Sequence, residues 1–177
     1  RVLYSNSNNI VNFASRVINQ RNLQSMNNQF SPKISEVLIY SKEEALRLHN
    51  ECVAPEHLLL GLIRDGEGKA IQILRLLNLD FRSVKLRAEQ SIQGSAMQEM
   101  PDADHEIILN EKASKIMRLC LLEARMLKAQ VADTEHILLA IMKEKDNNAC
   151  RILEENSIHY TDILNLLTQK AEKSDVQ

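Results

Sequence analysis

Hydrophobic positions recur at helical spacing in eight segments of the chain. In the first segment Ile34, Leu38, Ser41, Ala45 and Leu48 form one stripe, which predicts an amphipathic helix. The second segment is almost wholly apolar after its third residue, so we expect it at the centre of a hydrophobic core. The predicted helices cover residues 32–49, 55–64, 69–77, 81–91, 111–128, a segment beginning after Thr134, 147–155 and 160–171.

The whole pattern occurs twice along the chain. The segment Pro55–Ile63 returns 79 positions later as Thr134–Met142, and the alignment continues without a gap on both sides. Identical pairs at this offset are Lys33 with Lys112, Ser35 with Ser114, Glu44 with Glu123, Leu48 with Leu127, Ala70 with Ala149 and Ile73 with Ile152. Internal repeats decide an architecture, because each copy is one structural unit that buries its apolar face against the next.

Composition supports an all-α fold. The 177 residues contain 4 Gly, 3 Pro and no Trp, with few aromatic residues, as is typical of helical proteins. We therefore predict two four-helix repeats related by a pseudo-twofold axis and packed into one eight-helix domain. Repeat 1 covers residues 29–92, a linker follows at 93–107, repeat 2 covers 108–171, and a polar tail ends the chain at 172–177.

Residues 1–28 form a polar N-terminal extension. Its first 25 residues hold three Arg and no acidic residue, a pattern also found in mitochondrial presequences. We interpret the extension as a tag, read-through or mis-called start, with a presequence or an interaction arm as the alternatives.

Charge and cysteine content narrow the function classes. Net charge is −2, and beyond residue 25 there are 19 Lys and Arg against 24 Asp and Glu. An acidic body argues against nucleic-acid binding, and no apolar run reaches the roughly 20 residues of a membrane helix. Cys52, Cys120 and Cys150 lack a CxxC spacing, so we interpret them as packed thiols of a cytoplasmic protein.

The repeated motif resembles the amino-terminal domain of the Clp family of AAA+ unfoldases, the ClpC type in particular. The resemblance covers residues 29–170 and rests on residues 42–45, 55–70, 122–124 and 134–142. It implies a recognition domain that passes protein substrates and adaptor proteins to ATPase rings partnered by a Clp peptidase. ATP and Mg²⁺ would belong to those downstream domains, because the 177 residues contain no Walker A motif. The domain itself is expected to need no cofactor.

The resemblance also implies ligand-binding residues. Some ClpC-type proteins bind arginine-phosphorylated substrates in two equivalent pockets, where a glutamate of the motif holds the guanidinium and a hydroxyl residue helps to hold the phosphate. When these roles are transferred to the matching positions of this chain, the first pocket pairs Ser31 with Glu56 and the second pairs Asn110 with Glu135. A carboxylate can accept two parallel guanidinium bonds. The alternative is that both glutamates simply complement a helix dipole.

We expect no catalytic residue and no metal site. His57 and His136 follow the two glutamates but cannot share a ligand with them, since adjacent helical residues face apart, so both are predicted to be half-buried and hydrogen-bonded. His49, His105 and His159 are expected on the surface, as are the charged runs 42–44 and 143–146.

Two other functions remain open, and a third is disfavoured. The chain could be a free-standing accessory protein that docks on a Clp complex. It could also be an enzyme acting on phosphoarginine or a metal-bound substrate through Glu56 and His57. A helical transcription regulator is disfavoured by the absence of a basic recognition helix.

Overall fold

The computed structural model describes residues 29–93 and 107–174. Over these ranges the chain forms eight α-helices, in the predicted order, and two very short β-strands. The elements are α1 (Pro32–Arg47), β1 (Cys52–Val53), α2 (Pro55–Asp65), α3 (Lys69–Leu76), α4 (Phe81–Ile92), β2 (Ile108–Leu109), α5 (Glu111–Met126), α6 (Thr134–Lys143), α7 (Asn148–Glu155) and α8 (Tyr160–Ser174). The all-α fold class is confirmed. The extension at 1–28, linker residues 94–106 with His105, and residues 175–177 lie outside the described ranges.

Local sequence sets where the helices begin. The Ser31 hydroxyl accepts the Ile34 amide at 3.2 Å at the start of α1, and Asn110 accepts the Ala113 amide at 2.9 Å at the start of α5. Both predicted caps are confirmed. In α6 the cap is Asp133, and Thr134 is the first helical residue. Helix α8 extends to Ser174, so the predicted polar tail is in part helical.

Short parallel strand pairings join the two repeats, and the sequence pattern did not predict them. Val53 in β1 pairs with Leu109 in β2, and an isolated bridge joins Phe30 to Ala132. The two pairings are equivalent under the repeat offset. As a result, the chain leading into α1 lies beside the chain leading into α6, and the chain leading into α5 lies beside the chain leading into α2. We call this arrangement, in which the segments that lead into helices of the two repeats pair with each other, the strand exchange. It positions the functional residues.

Helix α2 lies at the centre of the core, as predicted, and α6 lies there as well. Within α2, Leu58, Leu59, Leu60 and Leu62 are buried, and all of Ile137–Met142 in α6 is at 0% exposure. Helix α2 packs closely on α1, where Gly61 lies against Ser41. Cys120 and Cys150 are buried and Cys52 is partly buried, and all three are free thiols.

One predicted surface position is buried instead. Glu44 was expected on a solvated face, but it is 5% exposed, and its carboxylate accepts bonds from Arg47 at 2.6 Å and Arg64 at 3.2 Å. Its repeat mate Glu123 is 1% exposed and accepts bonds from Lys143 and the Tyr160 hydroxyl, each at 2.7 Å. The expectation was wrong because these acids have internal cationic partners, which make their burial tolerable.

Candidate functional site

A cavity of about 330 Å³ opens between the two repeats. Its walls include the start of α2 with Glu56, the start of α5 with Asn110 and Lys112, and the start of α7 with Asn148 and Arg151. The cavity therefore combines two acidic side chains, Glu51 and Glu56, with two basic and several neutral polar side chains. Such convergent polar groups in a concave site are typical of a ligand-binding pocket.

Glu56 supplies the buried carboxylate of the cavity. It is the second residue of α2, in the first turn, where the helix dipole stabilises a carboxylate. The residue is 6% exposed, and its Oε1 accepts a hydrogen bond from Asn148 Nδ2 at 2.8 Å. The partner that the structure gives Glu56 is thus a neutral amide. A buried carboxylate held by an amide keeps its negative charge available to a cationic ligand.

Lys112 and Arg151 supply the basic wall. Lys112 lies in the first turn of α5 and is 3.1 Å from Asp146 Oδ2. Arg151 donates to Asn148 Oδ1 at 3.2 Å and lies 3.7 Å from Asp146 Oδ1. Their side chains are 51% and 62% exposed, so both can turn toward an incoming anion. The hydrogen bond from Lys112 lowers the pKa of the Asp146 carboxyl.

The structure groups the four predicted ligand residues crosswise between repeats. Asn110 lines the cavity of Glu56, whereas the Ser31 hydroxyl donates to Asp133 at 2.8 Å, two positions before Glu135. The expected pairings of Ser31 with Glu56 and of Asn110 with Glu135 are therefore corrected. The cause is the strand exchange, which places each helix cap beside the motif helix of the other repeat.

Glu135 has a different environment from its repeat mate. Lys69 Nζ contacts Glu135 Oε1 at 3.2 Å and lies 3.9 Å from Asp133 Oδ2. Lys69 occupies the position that corresponds to Asn148 at the repeat offset, and Gln72 corresponds to Arg151. The second glutamate is consequently paired with a cation of the chain itself.

His57 and His136 each accept a backbone hydrogen bond in the first turn of α2 and α6, respectively. His57 Nδ1 accepts the Ala54 amide at 2.9 Å, and its Nε2 lies 2.9 Å from Asn50 Oδ1, so the neutral ring donates to Asn50. His136 Nδ1 accepts the Asp133 amide at 2.9 Å. Both are buried rather than half-buried, at 1% and 3% exposure. His49 and His159 are exposed as predicted. Within residues 29–93 and 107–174 no cluster of His, Cys, Asp or Glu is suited to a metal ion.

The burial of these histidines predicts a pH-dependent stability. Desolvation lowers the pKa of His57 from 6.5 to about 4 and also lowers the pKa of His136. Between pH 6.5 and about pH 4 the unfolded chain binds a proton at His57 that the folded chain excludes. The stability contributed by the neutral histidine is therefore fully present above pH 6.5 and is lost as the pH falls toward 4. From His57 alone we expect a loss of about 3 kcal/mol across this window.

Urea unfolding at a series of pH values measures this loss. The matched variant is His57→Gln, because glutamine at this position of a capping box still accepts the backbone amide but does not titrate. Its stability is expected to vary less between pH 6.5 and 4 than that of the wild type. Identical pH profiles for the two proteins would contradict the assignment.

Among the cavity residues that sequence reasoning missed are Lys112, Asn148 and Arg151. They line the same cavity as Glu56 because α5 and α7 lie beside α2 across the repeats, and no local pattern reports such an arrangement. The repeat alignment does carry one signal: Asn148 and Arg151 correspond to Lys69 and Gln72, so the two sites differ in charge.

Comparison with known proteins gives a consistent result. The Clp repeat (R) N-terminal domain family matches residues 29–156. ClpC/MecB of Bacillus subtilis, described as a negative regulator of genetic competence, is 37% identical over 125 residues, which are 71% of this chain and 15% of that protein. A ClpA homolog of Porphyra purpurea, an ATP-binding subunit of Clp protease, is 30% identical over 149 residues, which are 81% of this chain and 18% of that protein.

Solved structures show the same fold. The N-terminal domain of ClpD from Arabidopsis thaliana superimposes with a TM-score of 0.63 at 16% identity, covering 81% of this chain and 95% of that one. The Hsp104 N-terminal domain from Candida albicans gives a TM-score of 0.64 at 16% identity, with 78% and 89% covered. The chain spans about 15 to 18% of the length of the curated relatives it matches. None of the helices in the described ranges is long and apolar enough to cross a membrane.

Proposed function

Because the chain belongs to the family of Clp repeat N-terminal domains, we propose that it is the recognition domain of a Clp-type unfoldase, capturing protein substrates or adaptor proteins for AAA+ rings. Captured substrates would then reach the ATPase pore and a Clp peptidase. The domain contributes binding and no catalysis. Tethered capture works with modest affinity, since it raises the local substrate concentration near the pore.

The arrangement of charges around Glu56 carries a more specific proposal, that the cavity binds phosphoarginine side chains. A guanidinium would replace the Asn148 amide and donate two parallel bonds to the buried carboxylate. The phosphate would then face Lys112, Arg151 and the amide groups at the start of α5. A ligand with a cation at one end and an anion at the other matches both walls. A simple cation or a simple anion matches only one of them.

Calorimetric titration of the 177-residue chain tests this proposal. Phosphoarginine is expected to bind saturably at one site per chain. Arginine, which lacks the phosphate, and phosphoserine, which lacks the guanidinium, are the matched ligands and are expected to bind at least about tenfold more weakly, since each loses one set of charge-assisted bonds. Equal affinity for all three ligands would reject selective recognition, and no binding by a folded protein would reject the cavity as a phosphoarginine site.

The Arg151→Gln variant tests whether Arg151 contacts the phosphate of the ligand and not its guanidinium. Glutamine is the residue that the other repeat has at this position, as Gln72, so the helix is expected to tolerate it. Loss of one partly exposed guanidinium should weaken phosphoarginine binding roughly fivefold to tenfold and leave arginine binding unchanged. Titration of the variant with both ligands measures the difference. Equal weakening for both would show that Arg151 supports the cavity wall and does not contact the phosphate.

A further inference from the structure

The solvent side of α5 combines exposed apolar residues with arginines. Leu122 and Met126 are 48% and 64% exposed, and Arg118 and Arg125 are exposed beside them. The spacing of these four positions brings their side chains to one side of the helix. We call this surface, formed by Arg118, Leu122, Arg125 and Met126, the α5 stripe. Single exposed apolar residues are common, but neighbouring ones framed by polar groups are typical of interaction sites.

The two arginines of the α5 stripe have no acidic partner. Neither Arg118 nor Arg125 forms an ion pair within the part of the chain that the structure describes. Arg125 donates only a long hydrogen bond of 3.5 Å to the neutral Gln29 side chain. By contrast, Lys112 and Lys143 of the same repeat each lie within 3.1 Å of a carboxylate. The stripe therefore carries an uncompensated positive charge on a chain whose net charge is −2.

The equivalent surface of repeat 1 is covered by ion pairs instead. At the repeat offset Leu122 corresponds to Glu43, and Met126 corresponds to Arg47. Glu43 is paired with Arg64 at 2.5 Å, and Arg47 is likewise paired with acidic residues of the chain. The same helix arrangement thus forms in repeat 1 without exposed apolar residues at these positions. Packing of the fold does not explain the α5 stripe.

We propose that the α5 stripe binds an acidic amphipathic helix of a partner protein. Leu122 and Met126 would pack against the apolar side of that helix, and the two arginines would donate charge-assisted hydrogen bonds to Asp or Glu side chains along its borders. Met and Arg are residue types enriched in protein interfaces. Complementary charge would give the partner its specificity.

The α5 stripe is distinct from the Glu56 cavity. Leu122 lies about 15 Å along α5 from Lys112, the residue through which this helix lines the cavity. The inference rests on the proposed role of the chain as a protein-binding domain, but it does not depend on phosphoarginine recognition. The two surfaces could therefore be occupied at the same time.

Charge disfavours the other occupants of the α5 stripe. The first 25 residues hold three Arg and no acidic residue, so the N-terminal extension would bring like charge to the arginines. A second copy of the chain that used the same surface would place arginine against arginine. An anionic membrane would attract the stripe, but beyond residue 25 the chain has 24 acidic and 19 basic residues, which opposes its approach.

NMR titration of the 177-residue chain with two synthetic helical peptides tests the proposal. Both peptides carry leucines along one side of the helix, bordered by glutamates in one peptide and by lysines in the other. We expect the glutamate peptide to cause saturable shifts in the amides of residues 118–126. The lysine peptide is expected to bind at least about tenfold more weakly, because its charges face the arginines.

Leu122→Glu is the variant that removes the site. It introduces the residue that repeat 1 has at this position, Glu43, so the helix is expected to tolerate it. The new carboxylate removes apolar contact and repels the glutamate peptide, so we expect affinity to fall at least about tenfold. Leu86→Glu is the matched control, since it makes the same change at a leucine of α4 that is 54% exposed, and it should retain wild-type affinity.

Several results would overturn the inference. These are equal affinity for the two peptides, shifts confined to another surface, undiminished binding by folded Leu122→Glu, and an equal loss in Leu86→Glu. A dimer that Leu122→Glu dissociates would assign the stripe to a second copy, and nuclear Overhauser contacts between residues 1–28 and Leu122 would assign it to the extension. Binding to phosphatidylserine vesicles without binding of the glutamate peptide would assign it to a membrane surface.

Phosphoarginine titration keeps this result separate from the function proposed for the Glu56 cavity. Leu122→Glu is expected to bind phosphoarginine with wild-type affinity, because the cavity does not include the α5 stripe. A wild-type chain that binds the glutamate peptide at residues 118–126 but does not bind phosphoarginine would reject the phosphoarginine site and still support the inference.

Discussion

Replacing Glu56 by glutamine is expected to abolish measurable phosphoarginine binding while leaving the fold intact. Glutamine has nearly the same shape, and its carbonyl oxygen can still accept the Asn148 amide that now contacts Glu56. It removes the charge, however, and places an N–H₂ group where the guanidinium must donate. Truncating one partner of a buried charged hydrogen-bonded pair costs about 3 kcal/mol, or roughly 100-fold in affinity. Calorimetry with phosphoarginine measures the loss.

Glu135→Gln is the matched control for this experiment. It makes the same chemical change at the equivalent position of the other repeat, where Lys69 already occupies the carboxylate. We expect phosphoarginine affinity and stoichiometry to remain at wild-type values. If Glu135→Gln reduced binding as much as Glu56→Gln, the two glutamates would contribute equally to phosphoarginine binding. The structural difference between the two sites would then have no effect on which of them binds the ligand.

Gly61→Ala is expected to destabilise the packing of α1 against α2. A Cβ atom at this position would lie 2.2 Å from Ser41 Oγ, 2.7 Å from the Val37 carbonyl oxygen and 3.0 Å from the Ser41 amide nitrogen. Two of these neighbours are backbone atoms of α1, so α1 and α2 must move apart. Overpacking of this kind costs about 2 to 3 kcal/mol, more than the roughly 1 kcal/mol that alanine gains over glycine in helix propensity.

Urea unfolding measures this destabilisation, and the double variant Ser41→Ala/Gly61→Ala tests its cause. Removing the hydroxyl eliminates the closest contact but leaves the Val37 carbonyl in place, so we expect the double variant to recover only part of the loss. A Gly61→Ala protein as stable as the wild type would show that α1 and α2 do not pack as closely as the structure indicates. The second repeat has Ala140 and Cys120 at these positions, so its helix pair meets through different side chains.

Features with a local or periodic cause were predictable from the sequence. Helical spacing predicted the eight helices, and the 79-residue repeat predicted their pairing into two equivalent units. Ser31 and Asn110 were identified as caps because capping depends on one side chain and the backbone three residues ahead. The family resemblance identified Glu56 and Glu135, and the structure places both in the first turn of a buried helix.

Features that depend on contacts between the repeats were not predictable in this way. The crosswise grouping of Ser31 with Asp133, and of Asn110 with Glu56, follows from strand pairings only one or two residues long, which have no hydrophobic signature. The burial of Glu44 likewise depends on partners up to 20 positions away, since Arg64 on α2 reaches back to α1. A charged side chain looks solvated in a sequence until its partner is known.

A crystal structure of the chain bound to a phosphoarginine-containing peptide tests the central claim most directly. We predict that the guanidinium donates two hydrogen bonds to the Glu56 carboxylate in place of Asn148, that the phosphate contacts Lys112 or Arg151, and that Lys69 still occupies the Glu135 site. A peptide bound at Glu135, or bound on another surface while Glu56 keeps its bond to Asn148, would contradict the account.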